Sequence, residues 1–271
     1  MKDKGSAQIH GQIFEYKFCA LAYLRATNKG YKFKLASNVK GLGAFDDIVV
    51  EYLDSNSRKS HIFVQLKSKL NKHITMSQLK SKDGDFSLRK YYASYIQAEE
   101  NFNCSEGGVK MDGSNDESLF IIYTNADVPH DLKSNKVSDI GEAEFLMTRN
   151  SVLQFNEEEH KAIYEHLQDL PKHREFLSRL RIFYSQADEE KMDSHIKREL
   201  KEIMKLQEIQ LDIAYMYFYD YITDWCKNSR FFLQDTNSRE NDPLRKTSEK
   251  LRLIFGAKNK IRGNPNLTNS I

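Results

Sequence analysis

Residues 44–69 read AFDDIVVEYLDSNSRKSHIFVQLKSK. Ile48-Val49-Val50 has the β-branched composition of a buried strand. Asp54 to Ser60 is dense in turn formers and charge, so it reads as a loop. His61 to Lys67 gives a second strand, in which Gln65 and Lys67 stand two apart and share a face. A hairpin about the loop is expected to set Leu53 opposite His61, which brings Asp47 opposite Lys67 and Val49 opposite Gln65. An acid, an amide and a lysine then meet at one end of a two-stranded ribbon.

The flanks extend this pattern. Residues 6–27 predict a helix with a broad apolar stripe (Ile9, Ile13, Phe14, Phe18, Leu21, Leu24) that Gly30 stops. Glu15 and Cys19 lie on one side of it. Tyr31 to Ala36 alternates as a half-buried strand with Lys32 and Lys34 outward. The Gly41-Leu42-Gly43 segment is not a phosphate loop, since no third Gly, no Lys-Ser/Thr and no helix follow. Phe86 to Phe102 predicts a helix carrying Leu88, Tyr91, Tyr92 and Tyr95. Ser118 to Thr124 (SLFIIYT) predicts a strand at the sheet centre.

From about residue 139 the pattern turns helical. Helices are expected over 156–167, 171–180, 188–205 and 206–226, with one further strand at Arg181–Tyr184 and a last helix ending near Phe255. Tyr215, Tyr217, Phe218, Tyr219, Tyr221 and Trp225 crowd the fourth of these. Such a cluster is a binding face or, more ordinarily, packing. Arg230 to Ser248 and the tail from Gly256 read as polar segments. The expected class is α/β: a small mixed central sheet flanked by helices, with a helical C-terminal region. The expected domains are 1–186 and 187–271.

Composition excludes several classes. The 271 residues include 30 % charged side chains, and the mean hydropathy is −0.67. No apolar run approaches the roughly 18 residues of a spanning helix, so no membrane partner is expected. The N-terminus lacks the apolar core of a secretory signal. Cys19, Cys104 and Cys226 stand far apart without C-x-x-C spacing, which fits a reducing, intracellular compartment and neither a disulfide framework nor structural zinc. Residues 1–100 hold 17 Lys/Arg against 10 Asp/Glu, while 101–271 hold 24 against 29. The basic half is the half with the ribbon, as a binder of phosphate backbones requires.

The Asp47…Gln65-x-Lys67 arrangement on consecutive strands, after a helix with Gly11 and Glu15 in G-x-x-x-E spacing, resembles the PD-(D/E)xK (restriction-endonuclease-like) nuclease superfamily. The variant is the one in which Gln replaces the second acid. The likeness is closest to the double-stranded-DNA endonuclease effector domains of bacterial anti-phage systems. It covers residues 8–70 well, extends to about 125, and fades into the helices beyond.

The resemblance implies a Mg²⁺ (or Mn²⁺) ion held by Asp47, Glu15, Gln65 and the carbonyl of Leu66, with Lys67 beside the reacting phosphate. It implies DNA as partner, with Lys34, Lys69, Lys72 and His10 as candidate backbone contacts. Homo-oligomerisation through the helical C-terminal region is a further expectation. Asp46 is a rival to Asp47, because a one-residue change of register turns it to the site face. Gln65 in place of an acid lowers the charge of the site and weakens metal binding. A relative that binds nucleic acid without cutting it, or an interaction module, is therefore the alternative. The histidines of EEEHKAIYEH lack H-E-x-x-H spacing, and no G-x-S-x-G occurs.

Overall fold

In a computed structural model the chain is described over residues 4–53, 59–69, 73–103, 118–133, 141–228 and 242–255. Its elements are α1 (Lys4–Lys29), β1 (Lys32–Ser37), β2 (Ile48–Leu53), β3 (Lys59–Lys67), α2 (Met76–Leu79), α3 (Leu88–Asn103), β4 (Leu119–Thr124), β5 (Val152–Gln154), α4 (Lys161–Leu167), α5 (His173–Arg179), β6 (Leu180–Phe183), α6 (Glu189–Met204), α7 (Glu208–Asn228) and α8 (Pro243–Phe255). The result is a mixed α/β fold with a six-stranded sheet in the order β1-β2-β3-β4-β6-β5, and a helical C-terminal part. By packing the chain forms two compact units. One joins Met1–Ser37 to Glu189–Ile271, and the other is Asn38–Asp188.

In the second unit, β2 pairs with β3 antiparallel, β4 runs parallel to both β3 and β6, and β5 closes the edge antiparallel to β6. The parallel β3–β4 step needs a crossover, and α3 lies within it. Phe63 and Phe120 are register partners and stack with ring centroids 4.8 Å apart. Phe45, at 5.0 Å, and Tyr95 from α3, at 5.1 Å, close on the same Phe120 ring edge-on. Aromatic burial of this kind dominates core energetics, and here it fixes α3 over the face that carries Asp47 and Gln65.

In the first unit, α1 ends where Gly30 takes φ +73°, the left-handed turn for which glycine is suited. Helices α1, α6 and α7 pack together. Phe218 and Ala214 of α7 are fully buried, and Tyr23 of α1 meets both Phe33 and Phe218. Tyr215 and Tyr219 stack with their rings 3° from parallel, and the Tyr215 hydroxyl donates to Asp193 of α6. The aromatic run of α7 thus contributes to the packing of its own unit.

Several expectations shift in detail. Lys59 and Ser60, read as loop, belong to β3. Pro243 to Ser248, read as a polar segment, is the first half of α8. Its start is capped by Asp242, whose Oδ1 accepts the Leu244 N–H at 2.9 Å. Residues 104–117 with Cys104, Lys72 and the tail from Gly256 lie outside the described residues.

Candidate active site

The β2–β3 register differs from the expected one by two residues. Leu53 pairs with Lys59, Val49 with Phe63 and Ile48 with Val64. Continued one step, the pairing sets Asp47 opposite Gln65, with Lys67 two residues further along β3. At the other end of the ribbon β3 begins at Lys59, two residues earlier than expected. A shift of two keeps every side chain on its face, whereas a shift of one inverts them all. Asp47, Gln65 and Lys67 therefore stay together although their expected partners changed.

The backbone before β2 explains why Asp47 turns inward. The carbonyls of Asp46 and Asp47 accept the N–H groups of Val39 (2.9 Å) and Asn38 (3.1 Å). That leaves the Leu66 N–H to the Asp47 side chain, which accepts it on Oδ2 at 2.6 Å. The same Oδ2 accepts from the Gln65 amide, whose nitrogen also lies 3.4 Å from the Leu66 carbonyl oxygen. Asp47 is 9 % and Gln65 5 % exposed.

Burial dominates the electrostatics. It lifts the Asp47 carboxyl to about 6, against the opposing pull of the Leu66 N–H, Lys67 and Gln65. Burial lifts Asp46 as well, with Lys67 and Lys90 acting against it. The Lys67 ammonium is held below the ordinary lysine value, again chiefly by burial, although Asp47 favours its charge. A carboxyl raised and a lysine lowered side by side occurs at functional sites and in buried ion pairs alike.

A hard divalent cation would have three groups to draw on here. Asp47 Oδ2, the Leu66 carbonyl and the Gln65 amide converge, and the amide NH₂ stands where it donates to both oxygens. Turning the amide half a revolution presents Gln65 Oε1 to the same point. Three oxygens then face one another, an arrangement that needs a cation between them. Few protein oxygens suit Mg²⁺, which keeps several waters. Among the described residues no three His, Cys, Asp or Glu side chains form a group able to hold a metal. The set here is one carboxylate, one amide and one carbonyl. Glu15 lies half-buried on α1, in the other unit, where it acts on Tyr16 and Cys19.

The described candidate nucleic-acid contacts divide between the two units. Lys69 is ion-paired with Asp85, next to the cluster. His10 meets Glu189 at 3.2 Å in the first unit, and Lys34 is half-buried on β1. His61 faces Glu51 across the ribbon at 3.4 Å, both buried. Sequence reasoning placed Tyr91 on its helix but gave Asp85 and Lys90 no part in the cluster. Lys90 and Asp85 both act on Lys67, and the Tyr91 hydroxyl donates to the Asp85 carbonyl at 2.7 Å. The signal was present in Asp85-Phe-Ser-Leu-Arg-Lys-Tyr91, charges gathered where a helix begins, but only the fold brings that start to the end of β3.

No protein-family model matches the chain, and no curated protein matches its sequence. It is similar to the solved structure of an Acinetobacter baumannii Cap4 SAVED/CARF-domain containing receptor with the cyclic trinucleotide 2'3'3'-cAAA. The identity is 10 % and the TM-score 0.46, over 90 % of this chain and 44 % of that one. It is also similar to a Moraxella osloensis Cap4 SAVED/CARF-domain containing receptor, at 12 % identity and a TM-score of 0.42, over 90 % and 46 % of the two chains. The chain thus spans less than half the length of these structures.

Proposed function

We propose that the Asp47–Gln65–Lys67 cluster hydrolyses phosphodiester bonds of DNA, duplex in form, with Mg²⁺ or Mn²⁺ as cofactor. The observation that carries this reading is the convergence of Asp47 Oδ2, the Gln65 amide and the Leu66 carbonyl at the ribbon's end, with Lys67 alongside. Asp47, Gln65 through Oε1, and the Leu66 carbonyl would hold the ion. When bound, the ion acidifies a water and offsets charge on the phosphoryl oxygens. The Leu66 N–H fixes the orientation of the Asp47 carboxylate. The Lys67 ammonium, partly desolvated, orients the attacking water and stabilises negative charge as it develops on the phosphoryl oxygen. The likeness of the G-x-x-x-E helix and D…QxK strands to anti-phage effector domains supports a defence role as part of the same proposal.

One observation favours a second reading. The Gln65 amide and the Leu66 N–H both donate to Asp47 Oδ2, so the carboxylate has hydrogen-bond partners without an ion. A module that binds nucleic acid without cutting it has the same appearance. Incubating supercoiled plasmid with the protein in Mg²⁺, in Mn²⁺ and in EDTA separates the two. Cleavage in metal that EDTA and Asp47→Ala both abolish supports the nuclease. DNA binding without cleavage in either metal leaves the second reading.

A further inference from the structure

Beyond Lys67 the chain continues through Ser68 to Lys69, which lines a cleft of about 260 Å³ together with Ser77, Gln78, Ser81, Asp83 and Asp85. The Lys69 ammonium is ion-paired with Asp85. Lys67 and Lys90 also favour the charge of that carboxylate, and it sits below the usual carboxylate value although its partial burial works the other way. Three ammonium groups, from the end of β3, the segment after it and the start of α3, thus act on one carboxylate beside the Asp47 cluster.

The main chain around this ion pair is held, while the pair itself meets solvent. Tyr91 donates to the Asp85 carbonyl at 2.7 Å, and Ser87 Oγ bridges to the carbonyls of Ser81 (2.7 Å) and Lys82 (2.9 Å). The Lys69 N–H donates to Asn125 Oδ1 at 2.6 Å. The Asp85 side chain is nevertheless 48 % exposed. An exposed ion pair of this kind contributes little to stability, so another anion displaces the carboxylate at little cost. Asp83 lines the same cleft. An anion entering while Asp85 stayed in place would meet two carboxylates, which makes exchange the favourable route.

We propose that Asp85 stands in for a substrate phosphate: it neutralises Lys69 in the free protein, and a backbone phosphate of bound DNA displaces it into solvent and takes its place in the cleft. This inference rests on the reading of the Asp47 cluster as acting on DNA. It adds a phosphate subsite one step along the strand from the scissile bond, which sets how the substrate lies across Lys67. Asp85 is a positioning residue in this scheme.

The test is binding of a labelled DNA duplex in EDTA across a salt series, for wild type, Asp85→Asn, Asp83→Asn and Lys69→Ala. Asp85→Asn should tighten binding by about threefold to tenfold, and Asp83→Asn, with the same change of net charge, by clearly less. Lys69→Ala should weaken binding and reduce the log–log salt slope by about 0.9, the loss of one phosphate contact. Equal effects of the two Asn variants, an unchanged slope in Lys69→Ala, or no binding by any of the four proteins at low salt overturns the inference. A plasmid assay on the same wild-type sample keeps the two readings apart. Expected binding shifts without cleavage sustain the subsite and remove the nuclease, and cleavage without the shifts does the reverse.

Discussion

The Leu66 N–H donates to Asp47 Oδ2 at 2.6 Å, across the end of an antiparallel pair whose backbone ladder has just stopped at Ile48. A side-chain oxygen replaces a main-chain carbonyl there, so the strand pairing itself aims the carboxylate. The pairing it extends is buried, and the N–H groups of Asn38 and Val39 hold the carbonyls of Asp47 and Asp46 just before it.

Asp47 burdens the fold at neutral pH. Its carboxyl titrates at about 6 in the folded protein, above the roughly 3.9 of an unfolded chain. The folded state therefore binds this proton more tightly, and stability falls as pH rises from about 4 to about 6. At about 1.4 kcal/mol per unit the penalty above pH 6 is about 2–3 kcal/mol. Asp47→Asn keeps an oxygen for the Leu66 N–H and removes the charge. It should raise the denaturant midpoint at pH 7.5 by an amount corresponding to about 2 kcal/mol, and match wild type below pH 4. A variant no more stable than wild type at pH 7.5 would contradict this account of the site.

Under the proposed nuclease reading the same titration shapes activity. Asp47 must be ionised to act as an oxygen ligand, so kcat/KM for DNA cleavage should climb through about pH 6. Lys67 is held below the ordinary lysine value by burial, so an alkaline limb should follow before a surface lysine would titrate. Lys67→Ala should lower cleavage by about 10²–10³-fold and leave no alkaline limb attributable to this group. Lys67→Arg should restore part of the rate and stay flat towards high pH. A wild-type profile flat from pH 5 to 9 would dissociate both residues from the chemistry.

Much of the second unit was legible because its signals are local. Ile48-Val49-Val50, HIFVQLK and LFIIYT are strands by composition, and α3 carries its tyrosines at helical spacing. The faces of Asp47, Gln65 and Lys67 follow from the two-residue period, so they held although the register moved. The register depends on how many residues turn the corner, and polar Lys59 and Ser60 concealed that. Helix α2 has only four residues, yet Thr75-Met-Ser-Gln78 is a capping box, with the Gln78 N–H 3.3 Å from Thr75 Oγ1 and the Thr75 N–H 2.9 Å from Gln78 Oε1. That signal was readable, as was Asp242-Pro243 at the start of α8. Strand β5, three residues long, carries no periodicity to read. The gathering of Asp85, Lys90 and Tyr91 beside Lys67 is tertiary, and no spacing encodes it.

Two glycines in the N-terminal part should respond in opposite ways to alanine. Gly43 has φ +59°, and a Cβ there would meet Ser94 Oγ at 2.5 Å and Ser94 Cα at 2.9 Å. Ser94 Oγ in turn accepts the Ala44 N–H at 2.8 Å. Gly43→Ala pushes α3 away from the segment that delivers Asp46 and Asp47, and combines left-handed strain with overpacking. The cost should be about 2–4 kcal/mol, with cleavage falling alongside. Gly11 lies in α1 with nothing within 4 Å of its would-be Cβ. Gly11→Ala should be stabilising by about 0.5–1 kcal/mol. Thermal unfolding of the two variants reads the contrast, and a harmless Gly43→Ala would refute the close approach of Ser94.

Three helices of the first unit, α1, α6 and α7, share a charged contact. Lys17 of α1 is 8 % exposed, and its ammonium donates to Asp193 Oδ2 at 2.8 Å and to the Glu189 carbonyl at 3.1 Å. Asp193 Oδ1 takes the Tyr215 hydroxyl of α7. The two partners differ in burial, since the Asp193 side chain keeps 34 % of its surface and that of Lys17 only 10 %. Removing Lys17 leaves a carboxylate that water can still reach, whereas removing Asp193 leaves an ammonium mostly out of water with Glu189 3.7 Å away. Asp193→Ala should therefore destabilise more, by about 2–3 kcal/mol against about 1–2 for Lys17→Met. Replacing both, as Lys17→Met with Asp193→Leu, should recover much of the loss, because an apolar pair of similar size removes both desolvation costs. Denaturant unfolding followed by far-UV ellipticity gives all three values. A Lys17→Met variant weaker than Asp193→Ala, or a double variant weaker than either, would show that the contact stabilises by attraction rather than by keeping a buried charge accompanied.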